Sequence, residues 1–246
     1  MSTTLAIERT TAISPRFKGR VAGVFEALEG VTSAYGQVVV LGRLVVAGSA
    51  ATTAANILGH ERFFWLGFAS SVFGVACHIV WVLLFYELFK PVNRSLSLLA
   101  AFVGLVVCAI QALTAFFYLA PFLILSGGSS LSAFTRDQLQ ALAMIFLRLN
   151  AYAFNLDLVF FGLWCVLTGY LIARSRFLPR ILGLLLAIDG LGWVMYVYPP
   201  LAFQLFPFIA GASALAEIPL QLWLLMMGVN SERWNEQARA AERTRA

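Results

Sequence analysis

Long apolar runs, separated by short polar or proline-containing segments, occupy the chain from about residue 20 to residue 229. A hydrocarbon core about 30 Å thick requires about 20 residues of α-helix to cross it. Apolar runs of this length predict an all-α integral membrane bundle of about six transmembrane helices. The predicted spans are approximately 20–40, 64–89, 97–123, 150–173, 181–198 and 207–229.

The segments between these runs predict where the helices begin and end. The second run stops at Lys90-Pro91 and the fifth at Pro199-Pro200, because proline cannot donate a backbone hydrogen bond. Thr135, followed by Gln138 three residues later, predicts the N-cap of a helix that continues into the fourth span. The other connections are 49–61, a loop with a short helix; Gly127-Gly128-Ser129-Ser130, a turn; and 231–246, a polar helical tail.

Composition supports lipid as the solvent of this chain. Hydrophobic residues make up 61% of it and charged residues 12%, with a mean hydropathy of +0.84. A soluble domain carries roughly 25% charged residues, so this chain has too little polar surface for a globule in water. The first twenty residues are polar, which argues against a cleaved signal peptide. The predicted organisation is a cytoplasmic tail at 1–18, a six-helix domain at 19–229 and a second cytoplasmic tail at 230–246.

Basic residues predict the orientation of the bundle. With six spans, thirteen lysines and arginines fall on one side and four on the other. Cytoplasmic connections of membrane proteins are enriched in Lys and Arg, so both termini are expected in the cytoplasm. The net charge of +5 does not indicate a nucleic-acid partner, because no basic patch or nucleic-acid motif accompanies it.

Five carboxylates within the predicted spans are the first candidates for chemistry. A charged side chain at the bilayer centre costs roughly 2.5–3.5 kcal/mol, so an acid there is a functional hypothesis by default. Glu26 and Glu29 share one helix face at i,i+3. Protonation, a hydrogen bond to a neighbouring helix or proximity to the interface would each make such an acid purely structural. The candidate acid–base residues are Asp157, Asp189, Glu217, Glu26 and Glu29.

Polar and aromatic residues near these acids are candidates for lining a substrate site. Asn150, Asp157 and Trp164 recur every seven residues and therefore share a helix face. An aspartate framed by aromatic side chains could donate a proton to an apolar substrate, and the same stripe could equally be a helix–helix seam. The candidate lining residues are His78, Asn150, Asn155, Phe154, Phe161, Trp164, Trp193, Tyr196 and Gln221.

The sequence predicts no metal site and no cofactor. His78 lies inside a span and His60 in a loop, and no HExxH pattern is present. Cys77, Cys108 and Cys165 all fall in apolar segments without a CxxC spacing. We therefore expect the cysteines to be small buried residues.

Several segments in order carry a family resemblance. They are 19–23 (GRVAG), 51–58 (ATTAANIL), 62–68 (RFFWLGF), 90–94 (KPVNR), 150–184 and Ala216-Glu217 followed by 222–225 (LWLL). The chain thus resembles the bacterial multi-pass membrane proteins of the domain of unknown function 4386 family. The resemblance implies a helical domain in the bacterial cytoplasmic (inner) membrane and assigns no activity. Glu217 matches the family pattern, whereas Asn150 and Trp164 stand where relatives tend to have histidine.

Three classes of function remain open at this point. The first is a multi-pass membrane protein of uncharacterised role, for example an accessory subunit, whose carboxylates hold helices together or form an intramembrane site. The second is an intramembrane enzyme, such as a cyclase or isomerase, using acid–base chemistry on a lipid or isoprenoid substrate. The third is a proton-coupled transporter, disfavoured because no inverted repeat is visible. The expected partners are membrane lipids, a hydrophobic small molecule or another membrane protein.

Overall fold

The protein is described here by a computed structural model that covers residues 14–128 and 131–243. The predicted tail residues 1–13 and 244–246, and Ser129 and Ser130 of the predicted turn, lie outside the described residues. A π-helical turn, Tyr35–Val40, follows α1, and a 3-10 turn, Met195–Val197, follows α7. In chain order the α-helices are α1 (Pro15–Ala34), α2 (Leu41–Leu44), α3 (Ala50–Gly59), α4 (Glu61–Phe89), α5 (Arg94–Leu125), α6 (Arg136–Arg174), α7 (Arg180–Val194), α8 (Pro199–Met226) and α9 (Ser231–Arg243).

The predicted all-α membrane architecture is confirmed. Helices α4, α5, α6 and α8, and α7 together with its 3-10 turn, are each long and apolar enough to cross a membrane. Those five spans are one fewer than the six expected from the sequence. The difference is the first helix, in which Glu26, Glu29 and Gln37 lower the hydropathy.

The first helix nevertheless crosses the whole bundle. Helix α1, the π-turn and α2 form one continuous helix from Pro15 to Leu44, about 45 Å long at 1.5 Å per residue. Near its start, the Arg20 guanidinium donates to the Met226 carbonyl at the end of α8, at 2.6 Å. Near its other end, Val40 is buried in one cluster with Phe64, in the first turn of α4. The first helix therefore runs the full length of its neighbours.

Local capping explains where the helices begin. The Ser14 hydroxyl accepts a hydrogen bond from the Phe17 N–H at 3.2 Å, so α1 starts at Pro15 rather than near residue 20. Thr135 is the N-cap of α6 as predicted, and its side chain and that of Gln138 form a reciprocal capping box there. The last span was predicted to start near residue 207. That prediction was wrong, because the helix that forms this span, α8, begins at Pro199. Proline fits the first turn of a helix, where its missing N–H needs no partner.

Helices α6 and α7 pack with their backbones almost in contact. A Cβ atom added to Gly162 would lie 2.6 Å from the Gly190 carbonyl oxygen, and one added to Gly169 would lie 2.6 Å from that of Gly183. Each helix contributes two glycines seven residues apart, so both pairs lie on one face. This close approach fixes the position of α7 relative to α6 and hence of the acids they carry.

The C-terminal helix closes one end of the bundle. The Trp234 indole N–H of α9 donates to the Leu88 carbonyl at the end of α4, at 2.8 Å. The Arg16 N–H donates to the Ser231 hydroxyl at 3.2 Å, and the Lys18 ammonium lies 3.4 Å from the Glu87 carboxylate. The described start of α1 and the described end of α9 therefore lie at the same end of the bundle.

Candidate functional site

Four helices meet at a polar cluster inside the bundle, which we call the central cluster: Glu29, His78, Gln111 and Asp157. The Gln111 amide nitrogen donates to Glu29 Oε1 at 3.2 Å and to Asp157 Oδ2 at 3.4 Å. His78 Nδ1 lies 3.7 Å from Glu29 Oε1, a contact that becomes an ion pair when the imidazole carries a proton. One amide thus connects two of the predicted acids, carried by α1 and α6.

A small cavity of about 20 Å³ adjoins the central cluster. This volume holds about one water molecule. Asp157 is only 5% exposed, and within the described residues its Oδ1 atom has no hydrogen-bond partner. The residues that line the cavity are Glu29, Ser33, Gln37, Ser71, Gly74, Val75, Gln111, Thr114, Phe154 and Asp157.

A second polar group, the lateral cluster, consists of Glu26, Asp189, Trp193, Ser213 and Glu217. Glu217 Oε1 accepts hydrogen bonds from the Ser213 hydroxyl at 2.9 Å and from the Trp193 indole N–H at 3.3 Å. Asp189 is fully buried beside Glu217. Neither of its carboxylate oxygens is hydrogen-bonded within the described part of the chain, and the same holds for Glu26 Oε2.

The two clusters are joined through α1. Glu26 and Glu29 lie one helical turn apart on α1, and Glu26 also lies near Glu217 of α8. The five predicted acids are therefore neighbours, and we call them the acidic row: Asp189 and Glu217 of the lateral cluster, Glu26 and Glu29 of α1, and Asp157, which Gln111 joins to Glu29.

In the described residues no lysine or arginine pairs with the acidic row, and His78 beside Glu29 is the basic side chain that reaches it. Within residues 14–128 and 131–243, the ion pairs formed by lysine or arginine are those of Lys18 and Lys90 with Glu87 at the end of the bundle. A buried carboxylate without a counter-ion is costly, so the row must be neutralised in another way.

The structure separates the remaining predicted lining residues. The Asn150 amide donates to the Thr114 carbonyl at 3.0 Å, which makes it part of the seam between α5 and α6. Trp164 packs edge-on against Trp81, with ring centroids 4.5 Å apart. Phe154 lines the cavity, Trp193 belongs to the lateral cluster, and His78 belongs to the central one. Those outside both clusters are Asn155, Phe161, Tyr196 and Gln221.

Gln111 is the residue of the central cluster that the sequence analysis missed. It is a single amide in the long apolar run of α5. Because polar side chains inside a span are uncommon, its isolation could have marked it as a candidate site residue. The cavity hydroxyls of Ser71 and Thr114 were also missed, since serine and threonine are frequent in helix–helix seams.

The described residues contain no group of three or more His, Cys, Asp or Glu side chains arranged to hold a metal ion. Cys77, Cys108 and Cys165 are free and buried, as expected. Cys165 lies near Asp189, Cys108 lies near Asp157, and Cys77 lies near Glu29. The side-chain groups at the acidic row are carboxyl, amide, imidazole, hydroxyl, indole and thiol groups.

Comparisons with known proteins identify the family alone. No curated protein and no solved structure matches the chain. A family model described as a domain of unknown function matches residues 21–228, nearly the whole helical bundle. The chain therefore belongs to the family of the domain of unknown function DUF4386.

Proposed function

We propose that this membrane protein binds and exchanges protons along the acidic row, as a proton-coupled protein does. The observation that carries the proposal is that the Gln111 amide joins Glu29 to Asp157 beside a one-water cavity, within a set of five neighbouring acids that lacks a lysine or arginine partner in the described residues. Ionisable residues inside membrane-spanning segments commonly form proton relays.

The neutral surroundings of the row favour protons over other cations. The hydrogen-bond donors at its carboxylates are the Gln111 amide, the Ser213 hydroxyl and the Trp193 indole. These donors bring no positive charge, and a protonated His78 would offset only one carboxylate, so they do not balance a row of ionised carboxylates. A proton neutralises a carboxylate without needing a coordination shell, and it passes between groups that are hydrogen-bonded directly or through water.

The size of the cavity supports the same choice. Room for about one water molecule between Glu29 and Asp157 suits a proton relay and excludes a lipid or isoprenoid chain. The enzyme alternative therefore gains no support from the place where the acids meet. The scaffold alternative remains the competitor, because Gln111 also ties α1 to α6.

The π-turn at Tyr35–Val40 favours a functional site over a purely structural one. Gln37, within this turn, lines the cavity two helical turns beyond Glu29. Turns of this kind are rare and occur frequently at functional sites, where they re-aim side chains. The turn packs closely on α4, since a Cβ atom on Gly36 would lie 2.8 Å from the Gly67 carbonyl oxygen.

Infrared spectroscopy of the purified protein in lipid tests the proposal directly. Protonated carboxyl groups have a carbonyl stretch separate from that of carboxylates, and we expect this band to change with pH in the wild-type protein. Glu29→Gln, Asp157→Asn and Glu217→Gln should each remove part of the change.

Glu61→Gln is the matched control, because it removes an exposed carboxylate at the start of α4 that forms no ion pair within the described residues. This variant should retain the pH-dependent band of the interior acids. If the wild-type band does not respond to pH, or responds equally in all three row variants, the acids act as a scaffold and the proposal fails.

We further propose that the protein lies in the bacterial cytoplasmic membrane with both ends in the cytoplasm. The support is the gathering of basic residues at the end of the bundle that carries α9. The described ones there are Arg16, Lys18, Arg20, Lys90, Arg94, Arg174, Arg176, Arg180, Arg233, Arg239 and Arg243. Such an excess is typical of a cytoplasmic face.

A further inference from the structure

The connection between α6 and α7 carries a cavity at the basic end of the bundle, separate from the acidic row. Its volume is about 590 Å³, and Arg174, Arg176 and Arg180 all line it. A neighbouring cavity of about 470 Å³ shares Arg176 and Arg180 and adds Arg233. We infer that this double cavity, the arginine cavity, binds the headgroup of an anionic phospholipid.

Charge is the first argument for this ligand. The larger cavity has three arginines and no acidic residue in its lining, and the smaller one has the single carboxylate of Glu236. None of these arginines forms an ion pair within the described part of the chain. Guanidinium groups match the geometry of phosphate oxygens and bind them through paired hydrogen bonds.

The backbone of the connection is held in place, so the arginines are presented from a fixed platform. The Arg176 N–H donates to the Gln237 side-chain oxygen at 3.1 Å, and the Asn230 N–H donates to the Phe177 carbonyl at 3.2 Å. The Phe177 ring is buried against Phe89, with centroids 5.7 Å apart. Because these contacts use the backbone of Arg176, its guanidinium stays available to a ligand.

The apolar wall of the cavity distinguishes a lipid from a soluble phosphate. Leu184 lines the cavity one turn above Arg180 and is 55% exposed, on the surface of α7 that faces hydrocarbon. Ile181 is 57% exposed in the first turn of the same helix. A phosphate bound to the arginines would therefore lie where its acyl chains could follow the apolar surface of α7.

The N-terminus of α7 adds an electrostatic field that favours a bound anion. Its N-cap is Pro179, and no side chain caps the helix. The positive end of the helix dipole consequently points toward the arginines and the cavity. Basic pockets between membrane helices on the cytoplasmic side are a known setting for anionic lipid headgroups.

The test compares two double variants of the full-length protein by native mass spectrometry in a neutral detergent. Arg176→Gln/Arg180→Gln removes the two arginines shared by both cavities. Arg239→Gln/Arg243→Gln removes the same charge from exposed positions of α9 at the same end of the bundle, outside both cavities. Phosphatidylglycerol is the probe, and phosphatidylcholine is the neutral reference lipid.

We expect the wild-type protein to prefer phosphatidylglycerol. The Arg176→Gln/Arg180→Gln pair should weaken its Kd by about tenfold or more, and the α9 pair by less than about twofold. Equal weakening by both pairs would mean general surface charge, and no weakening by either would mean no site; each overturns the inference. Glycerol phosphate should not displace the lipid, and displacement at comparable concentration would identify a soluble phosphate as the ligand instead.

Discussion

Gln111 carries an unusual share of the polar contacts in the bundle interior. Its amide nitrogen reaches both Glu29 and Asp157, while its own carbonyl oxygen has no hydrogen-bond partner among the described residues. A buried acceptor left in this state costs about 1–3 kcal/mol unless water reaches it. The adjoining one-water cavity provides a place for such a water. The residue therefore ties two acids and a hydration site together.

Replacing Gln111 with leucine should destabilise the protein by about 1–3 kcal/mol, because two buried carboxylates lose their donor and leucine keeps a similar volume. Thermal unfolding in detergent measures the change as a lower Tm.

The control repeats Gln111→Leu in a Glu29→Gln/Asp157→Asn background. Neutral amides lose less when the Gln111 donor is removed, so the penalty should fall below about 1 kcal/mol there. An equal penalty in both backgrounds would show that Gln111 acts by filling space rather than by bonding the acids.

At the scale of helices, the pairing of α6 with α7 depends on glycine. A Cβ atom on Gly169 would lie 2.6 Å from the Gly183 carbonyl oxygen and 2.7 Å from the Ala187 amide nitrogen. Backbone atoms cannot rotate away as a side chain can, so the two helices would have to separate. Small residues permit this kind of close approach between membrane helices.

Gly169→Ala should therefore destabilise the protein by about 1–3 kcal/mol, the usual cost of overpacking a close contact. The matched control is Gly211→Ala in α8, where an added Cβ meets nothing within 4 Å. Alanine there should be neutral or stabilise by about 0.4–1 kcal/mol. Tm values of the two variants measure the difference, and similar values would argue against backbone contact between α6 and α7.

The helices and their contacts also show which features could be predicted from the sequence. The capping box at Thr135 was predictable because its partner, Gln138, lies three residues away. The central cluster was only partly predictable: Glu29 and Asp157 stood out in apolar runs, but their meeting through Gln111 depends on helices distant in sequence. The π-turn could not be predicted, because it accompanies the close packing of Gly36 on Gly67.

At the scale of the whole molecule, the bundle has one strongly basic end, an apolar outer surface and an acidic row in its interior. The arginine cavity and the acidic row lie in different parts of the fold, so lipid binding and proton exchange can be tested separately. Loss of phosphatidylglycerol binding in Arg176→Gln/Arg180→Gln should leave the infrared response of Asp157 unchanged. Proton exchange along the acidic row requires that α1 cross the membrane, since Glu26 and Glu29 reach the interior from it.

We expect α1 to cross the membrane because of its contacts at both ends. Arg20 bonds the end of α8, and Gly19 lies against Val229, whereas Val40 packs on Phe64 at the start of α4. Since α4 and α8 are membrane-spanning by length and composition, a helix joined to opposite ends of them must span the same distance.

Single cysteines at Phe17 and Ala47, on either side of this helix, should consequently react with a membrane-impermeant maleimide from opposite faces. Inverted and right-side-out vesicles give the two faces, and the wild-type protein is the unlabelled control because Cys77, Cys108 and Cys165 are buried. Phe17→Cys should label together with Glu232→Cys in α9, from the cytoplasmic face. If Phe17→Cys and Ala47→Cys were labelled from the same face, the chain would cross the membrane only five times. The described ends of the chain would then lie on opposite sides, and Glu26 and Glu29 would lie outside the membrane interior.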